Sequence, residues 1–253
     1  MKLKVIGTGS KGNCYLLEAG GSSLILDAGL SWSKILSALP AGLNGVVGCL
    51  VTHEHLDHAK AVDQLLRHGI KTVMSPGTWK IVSERSKLDP DSYGRLVLQL
   101  SSGQHEYISP FTVLATRAEH DAEEPLAFLI RYEPTGETVL YATDTYKLPN
   151  RYPGINYWLV ECNYTLEKVE ALQGNPEYRF LFERLAKSHM SLERLCNSLQ
   201  ANDLSKTRNI VLVHISQDRG DPERMVQEVQ SVTGIQTVTA CNGLDIELGT
   251  CPF

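Results

Sequence analysis

No two of the six cysteines, Cys14, Cys49, Cys162, Cys196, Cys241 and Cys251, form a Cys-x-x-Cys pair. That absence argues against both a structural zinc knuckle and a disulfide framework, so reduced thiols are expected. The chain also lacks a Pro/Ser-rich linker, a low-complexity tract, an internal repeat and any run of like charge long enough to mark a tail. Its 253 residues are therefore read as one domain, 1–253, long enough to bury a sizeable core. No apolar span would cross a bilayer, and no charged region followed by a secretory apolar core is seen near residue 1. The expectation is a soluble cytoplasmic protein with no membrane partner. A basic stripe is missing too. The formal charge is −5, with lysines and arginines interleaved among acids, which weighs against a surface that tracks long duplexes. Folding could still gather cations, and bound divalent ions would offset acidity locally.

What is present begins as short strands punctuated by glycines, predicted at Leu3 to Ile6, Cys14 to Glu18 and Ser23 to Asp27. Apolar spacing then predicts helices over Ser33 to Leu39 and His58 to His68, with Gly69 placed to end the second. Ser75-Pro76 and Asp221-Pro222 read as helix starts, with a polar cap and proline in the first turn. Further strands are predicted at Val46 to Val51, Phe111 to Thr116, Ala127 to Tyr132, Thr138 to Ala142, Tyr157 to Val160 and Asn209 to Val213, with a helical region from Leu166 to Gln200. Two sheets between outer helices fit this order.

The segment Val51-Thr52-His53-Glu54-His55-Leu56-Asp57-His58 puts three imidazoles and a carboxylate into six positions behind an apolar strand. Extended residues alternate faces, so His53 and His55 point the same way and can grip one ion. Asp57 and His58 open the next helix and turn toward a second position nearby, which implies two adjacent ions. Surface histidines and a capping acid are the plain alternative, but a lone His-x-His is far less specific than this string. A binuclear site needs about six or seven donors. His120, Asp144 and His214 offer the rest, each just past a predicted strand, and strand ends are where site residues collect in layered α/β folds. His105 is a rival to His120. Asp144 could instead form an Asx turn and His214 could be a satisfied strand-end histidine.

The order His53, His55, Asp57, His58, His120, Asp144 and His214 resembles the metallo-β-lactamase superfamily over most of the chain. Within it, Gly7-Thr8-Gly9-Ser10-Lys11-Gly12-Asn13, Leu24-Ile25-Leu26-Asp27-Ala28-Gly29, Glu161-Cys162-Asn163 and Ser188-His189-Met190-Ser191 resemble the YycJ/WalJ-like branch. The resemblance implies an α/β fold, the four-layer αββα sandwich with the metal site at one edge. It implies that His53, His55 and His120 bind a first metal and Asp57, His58 and His214 a second, with Asp144 bridging. Aspartate at position 57 departs from antibiotic-hydrolysing members and is shared by phosphodiesterases, glyoxalase II and lactonases.

The chemistry expected of such a site is hydrolysis by a metal-bound hydroxide, available near neutral pH because the ion lowers the proton affinity of water. Asp57 could orient it. His189 is the candidate proton donor to a leaving alkoxide and Glu161 the residue that holds its imidazole, although His189 could simply mark a helix junction before the N-cap Ser191. Zinc is the default ion, with manganese or iron as alternatives. Asp27 is expected to hydrogen-bond the loop bearing the first histidines without touching metal, and His68 to complement the end of its helix. Lys11, Tyr146, Lys147 and Tyr164 are read as turn or rim residues. The branch resemblance implies a DNA exonuclease, acting 5′ to 3′, on a nucleic acid or nucleotide substrate. A cyclic-nucleotide phosphodiesterase or a thioester/lactone hydrolase of the glyoxalase II type remains open, as does a homodimer. The long glycine-rich arm of RNase Z is absent from the short interval between His120 and Asp144.

Overall fold

Alternation along the strands sets the architecture. In the computed structural model, which describes residues 1–171 and 178–249, the first half runs β1 (Lys2–Gly7), β2 (Cys14–Ala19), β3 (Ser22–Leu26), α1 (Trp32–Ala38), β4 (Pro40–Leu43), β5 (Val46–Leu50), α2 (Leu56–Ala59), α3 (Val62–Arg67), β6 (Thr72–Met74), α4 (Pro76–Ser86), α5 (Pro90–Tyr93) and β7 (Val97–Gln99). The second half adds β8 (His105–Ile108), β9 (Phe111–Arg117), β10 (Leu126–Tyr132), β11 (Glu137–Ala142), β12 (Tyr157–Glu161), α6 (Leu166–Glu170), α7 (Tyr178–Ser188), α8 (Leu192–Gln200), β13 (Asn209–Val213), α9 (Pro222–Thr233), β14 (Gln236–Thr239) and β15 (Asp245–Glu247).

Two seven-stranded mixed sheets form, ordered β15-β1-β2-β3-β5-β6-β7 and β14-β13-β12-β11-β10-β9-β8. On β13, Val211 and Val213 enter the core between the sheets while Ile210 and Leu212 face the other way; on β12, Tyr157 and Leu159 point in and Trp158 and Val160 out. Every residue of both strands is buried, because apolar layers cover both of their faces. Leu17, Leu24, Leu26 and Val73 of the first sheet meet Phe128, Ile130 and Val139 of the second in the central core. The outer face of the first sheet packs under Ile35, Leu65, Leu66, Trp79 and Val82 of α1, α3 and α4. The outer face of the second packs under Leu192, Leu195, Leu199, Met225 and Val229 of α8 and α9. The result is the expected αββα sandwich.

Two helical expectations change. The predicted helix over His58 to His68 divides into α2 and α3 because Ala61 N donates to Ala28 O at 2.8 Å, outside the helical ladder. This bond ties the chain to the end of β3. The region from Leu166 to Gln200 contains three helices, with residues 172–177 outside the described part. A new start at Ser191, whose hydroxyl accepts from Arg194 N at 3.3 Å, leaves His189 between α7 and α8. The other end signals behave as read. Ser75 accepts from Thr78 N and Asp221 from Arg224 N, each followed by proline, and Gly69 has φ +77° just past α3. Among the described residues Cys14, Cys49, Cys162, Cys196 and Cys241 are free thiols, and Cys251 lies outside them. No helix among the described residues is long and apolar enough to cross a membrane.

Candidate metal centre

The site forms where strands of both sheets end. Asp27 follows β3, His53 and His55 follow β5, Asp144 follows β11 and His214 follows β13, while Glu161 is the last residue of β12. These strands run parallel to their neighbours in the set, β3 with β5 and β11 with β12 and β13, so their C-terminal ends share an edge. Asp27, Asp144 and His214 all take left-handed backbone angles, with φ of +56°, +41° and +54°. Non-glycine residues rarely adopt that conformation, and it turns each side chain sharply off its strand.

His53, His55 and His120 bring three nitrogens together. His53 Nε2 lies 3.1 Å from His55 Nδ1, and His120 Nε2 lies 3.3 Å from the same atom. His120 Nδ1 is 2.6 Å from the Ser188 carbonyl oxygen, which can only accept, so Nδ1 carries the proton and Nε2 keeps a lone pair facing the group. Burial, with the neighbouring His58 charge next, holds His53 well below the usual histidine range. Neutral imidazole is the form that ligates.

Asp57, His58, Asp144 and His214 form the adjoining cluster. Asp57 Oδ2 sits 3.6 Å from His58 Nε2 and 3.7 Å from His214 Nε2. Asp144 reaches both groups, with Oδ1 3.2 Å from His58 Nε2 and Oδ2 3.7 Å from His120 Nε2. Asp27, fully buried, accepts from Thr52 N, from the Tyr141 hydroxyl at 2.6 Å and from His58 Nδ1 at 2.8 Å. It thereby fixes the His58 tautomer and turns Nε2 to the cluster. Burial opposes the charge on His214, but Asp144, Asp57 and Glu161 outweigh it and raise its pKa to about 10. Asp57 is held well below the usual carboxylate range, its burial outweighed by the imidazoles of His214 and His58 that face it. Divalent ions fit this donor set. His214 Nε2 is buried with no hydrogen-bond partner, an exception that calls for a ligand, and imidazole with carboxylate is the donor chemistry of hydrolytic sites.

Glu161 lies beside this cluster with all four acceptor positions engaged. Oε1 is 2.7 Å from His189 Nδ1 and 3.0 Å from His214 Nδ1, while Oε2 accepts from Thr145 N at 2.8 Å and Met190 N at 3.1 Å. No lone pair is left over for an ion, which makes Glu161 a holder of imidazoles. Burial lowers the His189 pKa, but the charge and hydrogen bond of Glu161 dominate and raise it.

The structure thus brings together His53, His55, Asp57, His58, His120, Asp144, Glu161, His189 and His214. His105 stays away, exposed on β8. His68 Nδ1 is 2.7 Å from the Gln64 carbonyl at the end of α3. Sequence reasoning missed Asn13, fully buried, whose amide lies 3.0 Å from His58 Nε2 and whose oxygen accepts from Gly9 N. It also missed Tyr141, where a hydroxyl in an apolar strand signals the need for a buried partner. Glu54, between two candidate ligands, accepts from Glu123 N at 2.9 Å and ties down the loop after His120.

Comparison with known proteins agrees with this fold. A family profile described as "Beta-lactamase superfamily domain" matches residues 23–215. The exodeoxyribonuclease WalJ of Streptococcus pneumoniae is 27% identical over 236 residues, covering 88% of this chain and 84% of its own. The exodeoxyribonuclease YycJ of Bacillus anthracis is 26% identical over 246 residues, covering 92% and 89%. The solved structure of the metallo-beta-lactamase fold protein YhfI from Bacillus subtilis superposes with a TM-score of 0.72 at 18% identity, over 97% of this chain and 98% of that one.

Proposed function

The chain belongs to the beta-lactamase superfamily and is a metal-dependent hydrolase, and from that footing we propose that it is a binuclear phosphodiesterase acting on DNA as an exonuclease. The observation that carries the reading is the Glu161–His189 pair, 2.7 Å apart, set against Asp144 of the donor cluster. A leaving alkoxide needs a proton, and a histidine held at one nitrogen by a buried carboxylate supplies it from the other. A thioester or lactone hydrolase would need the donor cluster but has no evident need for this histidine. Two relatives named exodeoxyribonucleases, aligned over more than four fifths of both chains, support DNA as the polymer.

In this reading His53, His55 and His120 would hold one ion and Asp57, His58 and His214 a second, with Asp144 within reach of both groups. Zinc is the ion proposed, with manganese or iron as substitutes. Bound divalent ions supply Lewis acidity toward phosphoryl oxygens and bring the ionisation of water near neutral pH. The protein's own contribution is orientation. Asp27 and the Ser188 carbonyl fix the tautomers of His58 and His120. Asp57 stands where it can orient the attacking nucleophile. Glu161 keeps His189 Nδ1 occupied, so Nε2 is the atom that delivers a proton to the leaving oxygen.

The test is product analysis by mass spectrometry after Zn- or Mn-loaded protein meets linear DNA and cyclic mononucleotides together, beside an Asp57→Ala control. Mononucleotides released from DNA, and absent in the control, are expected. Opening of the cyclic species alone would move the assignment to a small-nucleotide phosphodiesterase, and survival of both with metal bound would turn it to thioesters and lactones. His189→Ala should abolish diester cleavage with metal content retained; unchanged turnover would remove the proton-donor role.

A further inference from the structure

Beside the donor cluster stands a group the hydrolytic reading does not use. Tyr146 lies two residues past Asp144, and its backbone N donates to Glu119 O at 3.0 Å, which seats it between the loops bearing Asp144 and His120. Two cations close on its ring: Lys147 Nζ is 5.2 Å from the centroid and Arg194 Cζ 5.6 Å. Arg194 is held in place, donating from Nη1 to the Ala186 carbonyl at 2.7 Å, and it belongs to the first turn of α8, just beyond His189. Both cationic side chains are exposed and Tyr146 is half-buried. Arg117, Arg131 and Arg208 are each neutralised by a glutamate, whereas Lys147 and Arg194 have no carboxylate partner among the described residues.

An internal cation–π contact explains one cation over a tyrosine. It does not explain two uncompensated ones meeting at the rim of the site in a chain of net charge −5. The complementary ligand carries negative charge and flat faces at alternating points along its length. Single-stranded nucleic acid has that chemistry: backbone phosphates take the cations and an unpaired base stacks on the ring. A duplex does not, since its bases are already stacked and paired. Resting on the phosphodiesterase reading, we infer that Tyr146, Lys147 and Arg194 grip the single-stranded end of the nucleic acid next to the scissile phosphate. The cations turn from the ring to flanking phosphates, and a base takes the ring face they leave. The enzyme therefore acts on frayed or single-stranded ends in preference to blunt ones.

The test measures binding of a fluorescein-labelled single-stranded DNA 12-mer and its blunt duplex by anisotropy, using metal-loaded full chain in an Asp57→Ala background that stops turnover. Tyr146→Ala should weaken single-strand binding about tenfold, and Tyr146→Trp should restore it. Lys147→Ala should lower the slope of log affinity against log salt by about 0.7, the mark of one lost phosphate contact on a single strand. Lys206→Ala, just before β13 and so at the end of the strands remote from the site, should change neither. Equal affinity for blunt duplex and single strand, no binding by the parent protein, or unaltered binding by Tyr146→Ala and Lys147→Ala would overturn the inference. A parent that binds single strands through Tyr146, while the enzyme with Asp57 intact cleaves no diester, would sustain the grip and remove the phosphodiesterase reading.

Discussion

Replacing Gly29 with alanine should disable the Asp57–His58 half of the site without unfolding the protein. A β-carbon at Gly29 would lie 1.7 Å from the Asp57 carbonyl oxygen, 2.2 Å from its carbon and 2.8 Å from His58 N. An ordinary contact begins at 3.4 Å, so the two backbones must separate by about as much again as the gap they now have. They are stitched at that crossing. Asn13 N donates to Asp57 O and Ala28 N to His58 O, both at 2.7 Å, Gly29 N donates to Asn13 O at 2.9 Å and Ala61 N to Ala28 O at 2.8 Å. Overpacking costs about 1–3 kcal/mol, and each buried backbone group left unpaired roughly 1–3 kcal/mol. One broken stitch puts the total at about 2–6 kcal/mol, at or below the lower part of the ~5–15 kcal/mol of a typical domain. Urea unfolding should show the loss as a lower midpoint at unchanged slope. Elemental analysis should show metal content reduced, with the histidine cluster at positions 53, 55 and 120 keeping its ion. Hydrolytic turnover should fall about a hundredfold, the scale of loss a 1 Å displacement of a catalytic group can cause. A Gly29→Ala protein with full metal content and stability within about 0.5 kcal/mol of the parent, the range of a neutral surface change, would refute the claim that this apposition places Asp57 and His58.

Tyr141→Phe removes a 2.6 Å buried bond to Asp27 and should cost about 1.5–3 kcal/mol in chemical denaturation, since the acceptor is charged; an unchanged midpoint would show that Asp27 is satisfied without it. Glu137 accepts from Tyr157, Thr135 and Arg208, and although burial pushes its pKa up, the hydrogen bonds from Tyr157 and Thr135, with nearby positive charge, outweigh it and depress it below 4.5. Its contribution to stability is therefore complete above pH 4.5 and lost as the pH falls through the folded-state value, so Glu137→Gln should flatten the acid limb of a stability–pH profile, and an unaltered limb would exclude the linkage. Site-resolved alkylation of the folded protein at pH 8 should modify exposed Cys241 and spare Cys14, Cys49 and Cys162, whose thiols are buried and pushed up in pKa; rapid labelling of any of the three would mean that the fold opens locally.

Legibility differed by kind of residue. His53, His55, Asp57 and His58 were readable because their spacing is local. His120, Asp144 and His214 were readable because each follows a strongly apolar strand, and β9, β11 and β13 do end within three residues of them. The short strands β4, β6, β7, β14 and β15 carried too few residues to show a period against their surroundings. The division between α2 and α3 had no local sign either, since its cause is an amide donated to Ala28, 33 residues earlier. Asn13 and Tyr141 escaped for a related reason. Nothing near them in the chain announces that the partner of one is His58 and of the other Asp27.

The sequence by itself determined the layered fold, the order of the strands and which histidines and carboxylates stand at their ends, because periodicity, caps and local spacing are properties of neighbouring residues. Only the tertiary structure decided which nitrogen of each histidine faces the cluster, that Glu161 has no lone pair to spare, that Gly29 leaves Asp57 just enough room, and that Lys147 and Arg194 meet over Tyr146. Each of those depends on an atom from a distant part of the chain, and a distance between distant parts exists only after folding.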